Sequence, residues 1–300
     1  MGPPRAVGPP GHDPRLHQIG SLTGLLAYGI AALDFEVSVA RAAAVLGAAL
    51  VAQFACTRLA KLPAYDPRSA LISGLSLCLL TRTNSLGLAA ATAVVAIASK
   101  FVLRWNGKHV FNPTNFGLVA MMLATGRVWV SPGQWGNVAF FAFLMACVGG
   151  VVVNRAARSD VTLAFLAAWA SILFARALWL GQPFSIPLHM LENGALLLFA
   201  FFMISDPKTT PDSRAGRIAF ALLVALGVAL VQFVLYRTNG LLWSLAACSP
   251  LVPVLDRLLP GPRYQWQPKV PLHEPPKGVH HETLVPIPVP VRRAVARRRA

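Results

Sequence analysis

Residues 107–123, "GKHVFNPTNFGLVAMML", decide how the rest of the chain is read. A cation and a histidine come first, then Asn-Pro-Thr-Asn, and only then an apolar run. Asn112 is a good helix N-cap, and Pro113 suits the first helical turn, where its missing N–H leaves no bond unmade. The stretch therefore predicts a helix that starts at Asn112 and continues into apolar surroundings. Such a start presents free N–H groups and the positive end of a helix dipole. It serves either as a plain cap at a lipid surface or as a site for phosphate or another anion.

The surroundings are those of a membrane. Of 300 residues 55% are hydrophobic and only 13% are charged, with a mean hydropathy of +0.57. A soluble domain carries about a quarter charged residues. Apolar segments recur at 19–33, 39–59, 69–82, 85–104, 113–126, 135–154, 160–180, 190–205, 216–236 and 239–257. These ten segments predict an all-α polytopic membrane protein. Segments 69–82, 113–126 and 190–205 are short. Fourteen residues at about 1.5 Å each reach about 21 Å, against a hydrocarbon core of about 30 Å. Short segments of this kind read as broken or re-entrant helices.

Residues 1–18 read as a Pro-rich cytoplasmic N-terminus without a cleavable signal, 19–257 as the membrane domain, and 258–300 as a Pro/Arg-rich, disordered cytoplasmic tail. With the N-terminus inside, the inner loops hold eleven Lys and Arg, Lys100 among them, and the outer loops three, Arg82, Arg127 and Arg237. That bias predicts a multi-pass protein of a bacterial-type inner membrane with both termini in the cytoplasm. Trp129, Trp135, Trp179 and Trp243 fall near the outer boundary, as an aromatic belt does. The net charge of +16 reads as membrane orientation and lipid contact rather than nucleic-acid binding.

Two windows 124 residues apart share an order of features. "LISGLSLCLLTRTN" (71–84) and "ALLLFAFFMISDPK" (195–208) each end a short apolar segment at a polar turn, with Arg82 in the place of Asp206. A long segment, a basic patch and an Asn-led segment follow each, and Asn115 and Asn239 both stand 33 residues further on. Five segments separate the copies, so the second is inverted. The expectation is two five-helix repeats, about 19–126 and 135–257, with ligand contacts at their interface from broken helices. Asn112, Thr114, Asn115 and Asn239 are the candidate ligand contacts, and Ser205, Asp206 and Lys208 form the matching inner turn. Asp206 beside an apolar run requires a partner or a role.

"KHVFNPTNFG" and "FFMISDPKTTP" resemble segments of the NqrB/RnfD family, the membrane subunits of sodium-pumping NADH:quinone reductase and of the Rnf electron-transport complex. Related proteins occur in gene clusters for enediyne natural products. The resemblance implies ten helices in two inverted halves, similar in fold to ammonium and urea channels. It also implies FMN, which the family esterifies to a Thr in a Ser/Asp-Gly-x-x-Ala-Thr motif. That motif is missing here. "RSDVTLAF" is the nearest stretch, making Thr162 the candidate for a covalent link, against a plain helix start behind Asp160. The expectation is therefore FMN held without a covalent bond.

Other chemistry finds little footing. Cys56, Cys78, Cys147 and Cys248 lie in apolar segments without a CxxC, which reads as packing rather than an iron–sulfur cluster. His109 and His189 fall on opposite sides and cannot share a haem, and the His/Glu cluster 273–282 sits in a proline-rich tail, where metal binding is a minor prospect. No GxSxG, HExxH or Walker loop occurs. The sequence reads as a membrane subunit that relays electrons through a flavin, coupled to ion movement, with other membrane and soluble subunits supplying the electrons. The alternative is a non-redox channel or transporter on the same scaffold, serving natural-product biosynthesis. A reporter fused after Ala300 is expected to be active only in the cytoplasm, and periplasmic activity would overturn the orientation and the count of ten.

Overall fold

A computed structural model describes residues 14–32, 37–130 and 158–264, which lie in one compact unit. In chain order the elements are α1 (Pro14–Ala32), α2 (Val39–Leu59), α3 (Arg68–Leu80), β1 (Thr81–Arg82), α4 (Leu86–Val102), β2 (Arg104–Trp105), β3 (Lys108–His109), α5 (Pro113–Thr125) and β4 (Trp129–Val130). Then come α6 (Ser159–Leu180), α7 (Ser185–Leu191), α8 (Gly194–Met203), α9 (Arg214–Val234) and α10 (Gly240–Leu258). The expected segment 135–154, with Trp135 and Cys147, and the tail beyond residue 264, with its His/Glu cluster, lie outside the described residues.

Side chains set the helix ends. Ser38, Ser85, Asn112 and Ser213 each accept a hydrogen bond from the N–H three residues on, at 3.0–3.3 Å, as N-caps do. Gly126 and Gly181 end α5 and α6 in the left-handed region, at φ 60° and 62°. The N-terminal helix begins at Pro14, five residues before the expected segment.

Four described helices, α2, α6, α9 and α10, are long and apolar enough to cross a membrane, and a fifth if α7 and α8, bent by 48°, count as one. Of the ten expected segments, of which three were expected to be short, nine fall within the described residues, and four or five of the helices there are long enough to span. α3 and α5 have only 13 residues each. α8 turns into a π-helix over Phe199–Met203, and α9 does so over Leu230–Val234. Each π turn leaves the regular i→i−4 ladder, a local irregularity often found at working sites.

Packing follows one order twice. α2 packs along α4 and α4 along α5; α6 packs along α9 and α9 along α10. Small residues allow the close approach, as is usual between membrane helices. A Cβ on Gly117 would stand 2.7 Å from the Ala96 Cβ, and one on Gly227 would stand 2.3 Å from the Ser244 Oγ. α5 and α10 then meet, joining the two sets. A continuous apolar core runs through both, from Leu22 to Val252.

At one end the two-residue strands β1 and β4 pair antiparallel, Thr81 with Val130 and Arg82 with Trp129. Expected in an outer loop, Arg82 is instead 3% exposed, and its guanidinium donates to the Thr81 and Cys78 carbonyls at 3.0 and 3.4 Å. A cation there satisfies the carbonyl end of α3. At the other end the β2–β3 hairpin is tied to distant segments. Lys108 Nζ reaches Asp212 Oδ1 at 3.0 Å and Asp256 Oδ2 at 2.8 Å, while Asp256 Oδ1 accepts from the Asp212 N–H at 2.7 Å. The Arg257 guanidinium lies 5.6 Å from the Trp105 ring centroid. Lys108→Met leaves two carboxylates facing each other without their cation. Unfolding in detergent is expected to become easier by about 2 kcal/mol, and an unchanged melting temperature would show that the clasp contributes nothing.

Candidate functional site

Four of the sequence-named residues, Asn112, Thr114, Asp206 and Lys208, line one polar cavity of about 290 Å³. The first two start α5, and the other two come from the turn after α8. Arg15, Lys100, Arg104, His109 and Asp66 bring further ionisable groups to its wall, and Phe101 and Phe202 add apolar surface. The cavity therefore carries more cations than anions.

Asn112 uses both ends of its amide. Its Oδ1 accepts from the Asn115 N–H at 3.1 Å, capping α5 as expected. Its Nδ2 points to Asp206 Oδ2 at 3.3 Å and the Met203 carbonyl at 3.4 Å. Asp206 Oδ1 in turn accepts from the Lys208 N–H at 2.9 Å, and its carbonyl from the Thr209 and Thr210 hydroxyls at 3.3 and 3.1 Å. Asp206 is enclosed by protein yet opens on the cavity, and this burial raises its pKa. Lys208, Lys100 and Arg158 pull it back down. In this structure the anion beside the α5 start is the protein's own carboxylate.

The remaining named residues stand apart. Asn115 is fully buried, and its Nδ2 donates to the Leu242 carbonyl of α10 at 3.2 Å. Ser205 donates its hydroxyl to the Phe201 carbonyl, closing the π turn. Asn239 stands at the N-cap position of α10, but its side chain makes no capping bond. Its backbone sits at φ 59°, and its amide lies 3.9 Å from the Met122 Sδ and on the wall of a second cavity. The two Asn-led helices thus touch, but their starts face different cavities. Thr162 is 1% exposed, and its hydroxyl donates to the Ala200 carbonyl at 2.9 Å. That buried, bonded hydroxyl does not fit a covalent flavin link. Asp160 is not an N-cap: it lies inside the first turn of α6 and binds Arg217, whose Nε stands 2.9 Å from both carboxylate oxygens.

Lys100, assigned by the charge count to an inner loop, lies inside α4. It is 5% exposed, with its Nζ 2.9 Å from Gln53 Oε1 of α2. The lone Gln53 in an otherwise apolar stretch is the sequence signal for that pairing. His109 lines the same cavity with an unbonded, buried Nδ1. Burial, then Arg104, Lys100 and Lys208, lower its pKa to about 4. Below about pH 6.5 the unfolded chain takes up a proton that folded His109 refuses until about pH 4. Folded stability is therefore lost as pH falls through that window. His109→Gln is expected to flatten the fall in melting temperature between pH 7 and pH 5. An unchanged pH profile would mean that His109 is not held neutral by burial.

Residues 125–264 match the model of the NQR2, RnfD, RnfE family. The RnfD subunit of the ion-translocating oxidoreductase complex of Erwinia tasmaniensis is 31% identical over 162 residues, 53% of this chain and 39% of that protein. That of Cronobacter sakazakii is 29% identical over 153 residues, 50% of this chain and 41% of that protein. An Escherichia coli counterpart is 32% identical over 128 residues, 41% of this chain and 34% of its own length. The resemblance to this family holds, and of the two polar segments that suggested it "FFMISDPKTTP" lies within the matched residues. The chain spans about two fifths of the length of the curated relatives it matches.

Proposed function

We propose that this chain is a membrane subunit of an ion-translocating oxidoreductase complex, doing the work of an RnfD subunit. The likeness to three such subunits supports the reading, and the cavity built around Asn112 and Asp206 carries it. The two helix sets are inverted repeats, as the recurring packing order supports. Both termini face the cytoplasm. The clasp of Lys108, Asp212 and Asp256 supports this topology, since it gathers at one end loops that the charge bias assigns to one side.

The cavity suits FMN held without a covalent bond. Lys208, Arg104 and Lys100 would meet its phosphate, and Phe101 and Phe202 would line its ring. A flavin supplies one- and two-electron carriage when bound. The protein's own part is to hold the charges: Asn112 fixes the Asp206 carboxylate, and the cations around it balance the phosphate. Asp206, open on the cavity and perturbed by burial, is the residue that would exchange a proton or bind a cation during ion movement. Other membrane and soluble subunits of the complex would supply the electrons.

One observation favours a second reading, a channel or transporter without redox chemistry: the hydroxyl of Thr162 is already bonded and buried. A visible spectrum of the purified protein separates the two. The expected result is a flavin spectrum whose chromophore leaves the chain on denaturation. A colourless protein would favour the channel, and flavin fluorescence that stays with the chain in a denaturing gel would overturn non-covalent binding.

A further inference from the structure

Away from the proposed flavin cavity, the clasp end of the bundle holds a smaller pocket of about 180 Å³. It lies between the β2–β3 hairpin and the last turns of α10, and it shares only His109 with the polar cavity around Asp206. Lys108, Asp212, Asp256, Arg257 and Arg263 bring charge to its lining, so cations outnumber carboxylates by three to two. These charges differ in their bonding. Lys108 Nζ meets both carboxylates, at 3.0 and 2.8 Å, and the second oxygen of Asp256 is met by the Asp212 N–H. Arg257 and Arg263 have no carboxylate within ion-pair distance among the described residues. Arg257 meets the ring of Trp105, 5.6 Å away, and Arg263 uses Nη2 on the Asn106 carbonyl. A guanidinium carries five N–H donors, and both residues are exposed, so most of those donors are open to a ligand.

The level of the pocket in the membrane follows from helix length. α10 has 19 residues and is apolar enough to cross. At about 1.5 Å per residue it reaches about 28 Å, close to the hydrocarbon thickness of about 30 Å. Arg257 stands one residue before its end and therefore falls at the lipid headgroups. Leu251, Val254 and Leu258 follow one another at three and four residues, and all three are exposed. They form an apolar stripe on the side of α10 that carries Arg257. Val102, the last residue of α4, is 76% exposed, and Trp105 just beyond it is half exposed. A Trp at the end of a span is the usual side chain of the membrane–water boundary. Two open guanidiniums thus stand beside an interfacial ring, above an apolar stripe that leads into the bilayer.

We infer that this pocket holds the headgroup of an anionic phospholipid. Arg257 and Arg263 donate to the phosphate, Trp105 lies at the glycerol level, and an acyl chain follows Leu258 and Val254. Basic pockets between membrane helices take such headgroups by the same charge pairing. The site is independent of the flavin reading, which concerns the other cavity.

The test melts the full chain in detergent micelles at physiological salt, where loose pairing of exposed charges is screened. The probes are dioleoyl phosphatidylglycerol, dioleoyl phosphatidylcholine and glycerophosphate, and the readout is the concentration that gives half the rise in melting temperature. Wild type is expected to respond to phosphatidylglycerol at about one tenth of the phosphatidylcholine concentration, and Arg257→Gln with Arg263→Gln to bring the two lipids within about twofold. Each single variant is expected to lose part of the preference and stands in if the double variant does not fold. Arg237→Gln removes a cation at the other end of α10 and is expected to leave the preference unchanged. Basic residues beyond 264 are common to all these proteins and cancel. The inference is overturned by a wild type without preference, by a preference that survives in the variants, or by an equal loss in Arg237→Gln. Glycerophosphate acting as well as phosphatidylglycerol would overturn it too, since the site would then take a free phosphate.

Discussion

The structure depends on one side chain used at both ends. Asn112 caps α5 with its oxygen and reaches the Asp206 carboxylate and the Met203 carbonyl with its nitrogen. The cap alone could be supplied by serine or aspartate. The bridge asks for more: an ionised aspartate has no donor, and the serine hydroxyl, though donor and acceptor, is shorter than the amide that spans the two segments here. It joins residues 94 apart in sequence, where a short helix starts and the turn after a π segment begins. Asp206 is thereby kept near the positive end of α5. Arg82 faces the carbonyl end of α3 in the opposite sense. These two charges each meet the helix end of opposite sign, which offsets part of the burial they suffer.

Much of this was legible in the sequence. Asn-Pro announced the start of α5, because a cap and an N1 proline are local chemistry that burial does not alter. The nine apolar segments that fall within the described residues all became helices, because period and length shape an apolar helix with little help from its neighbours. Asn112, Thr114, Asp206 and Lys208 line one cavity. Other parts were not legible. Lys100 and Arg82 were assigned to loops by charge alone, but each had a polar partner inside the fold, Gln53 and the end of α3. Such pairs depend on which helices are neighbours, and that is tertiary information. The entry into α10 was not legible either: the chain passes Tyr236 and Asn239 with positive φ, a conformation no composition rule would assign to a tyrosine.

Two cavities without a shared lining residue give the protein two chemically distinct places. One is charged and is built where the α5 start meets the turn after α8. The other is lined by aromatic rings, aliphatic side chains and amides, with no charged side chain among the described residues. Met203 connects them: its carbonyl takes the Asn112 amide, and the residue lines the neutral cavity.

Whether Asn112 bridges the two segments is decided by a double-mutant cycle with Asp206. Asn112→Ser, Asp206→Asn and the double variant are melted in the same detergent, and the interaction energy is taken from the four stabilities. The bridge predicts non-additivity of about 1 kcal/mol or more, because each single change leaves a buried partner unmet. Additive effects, within about 0.3 kcal/mol, would mean that Asn112 is only a helix cap and that the two segments are held together by other contacts.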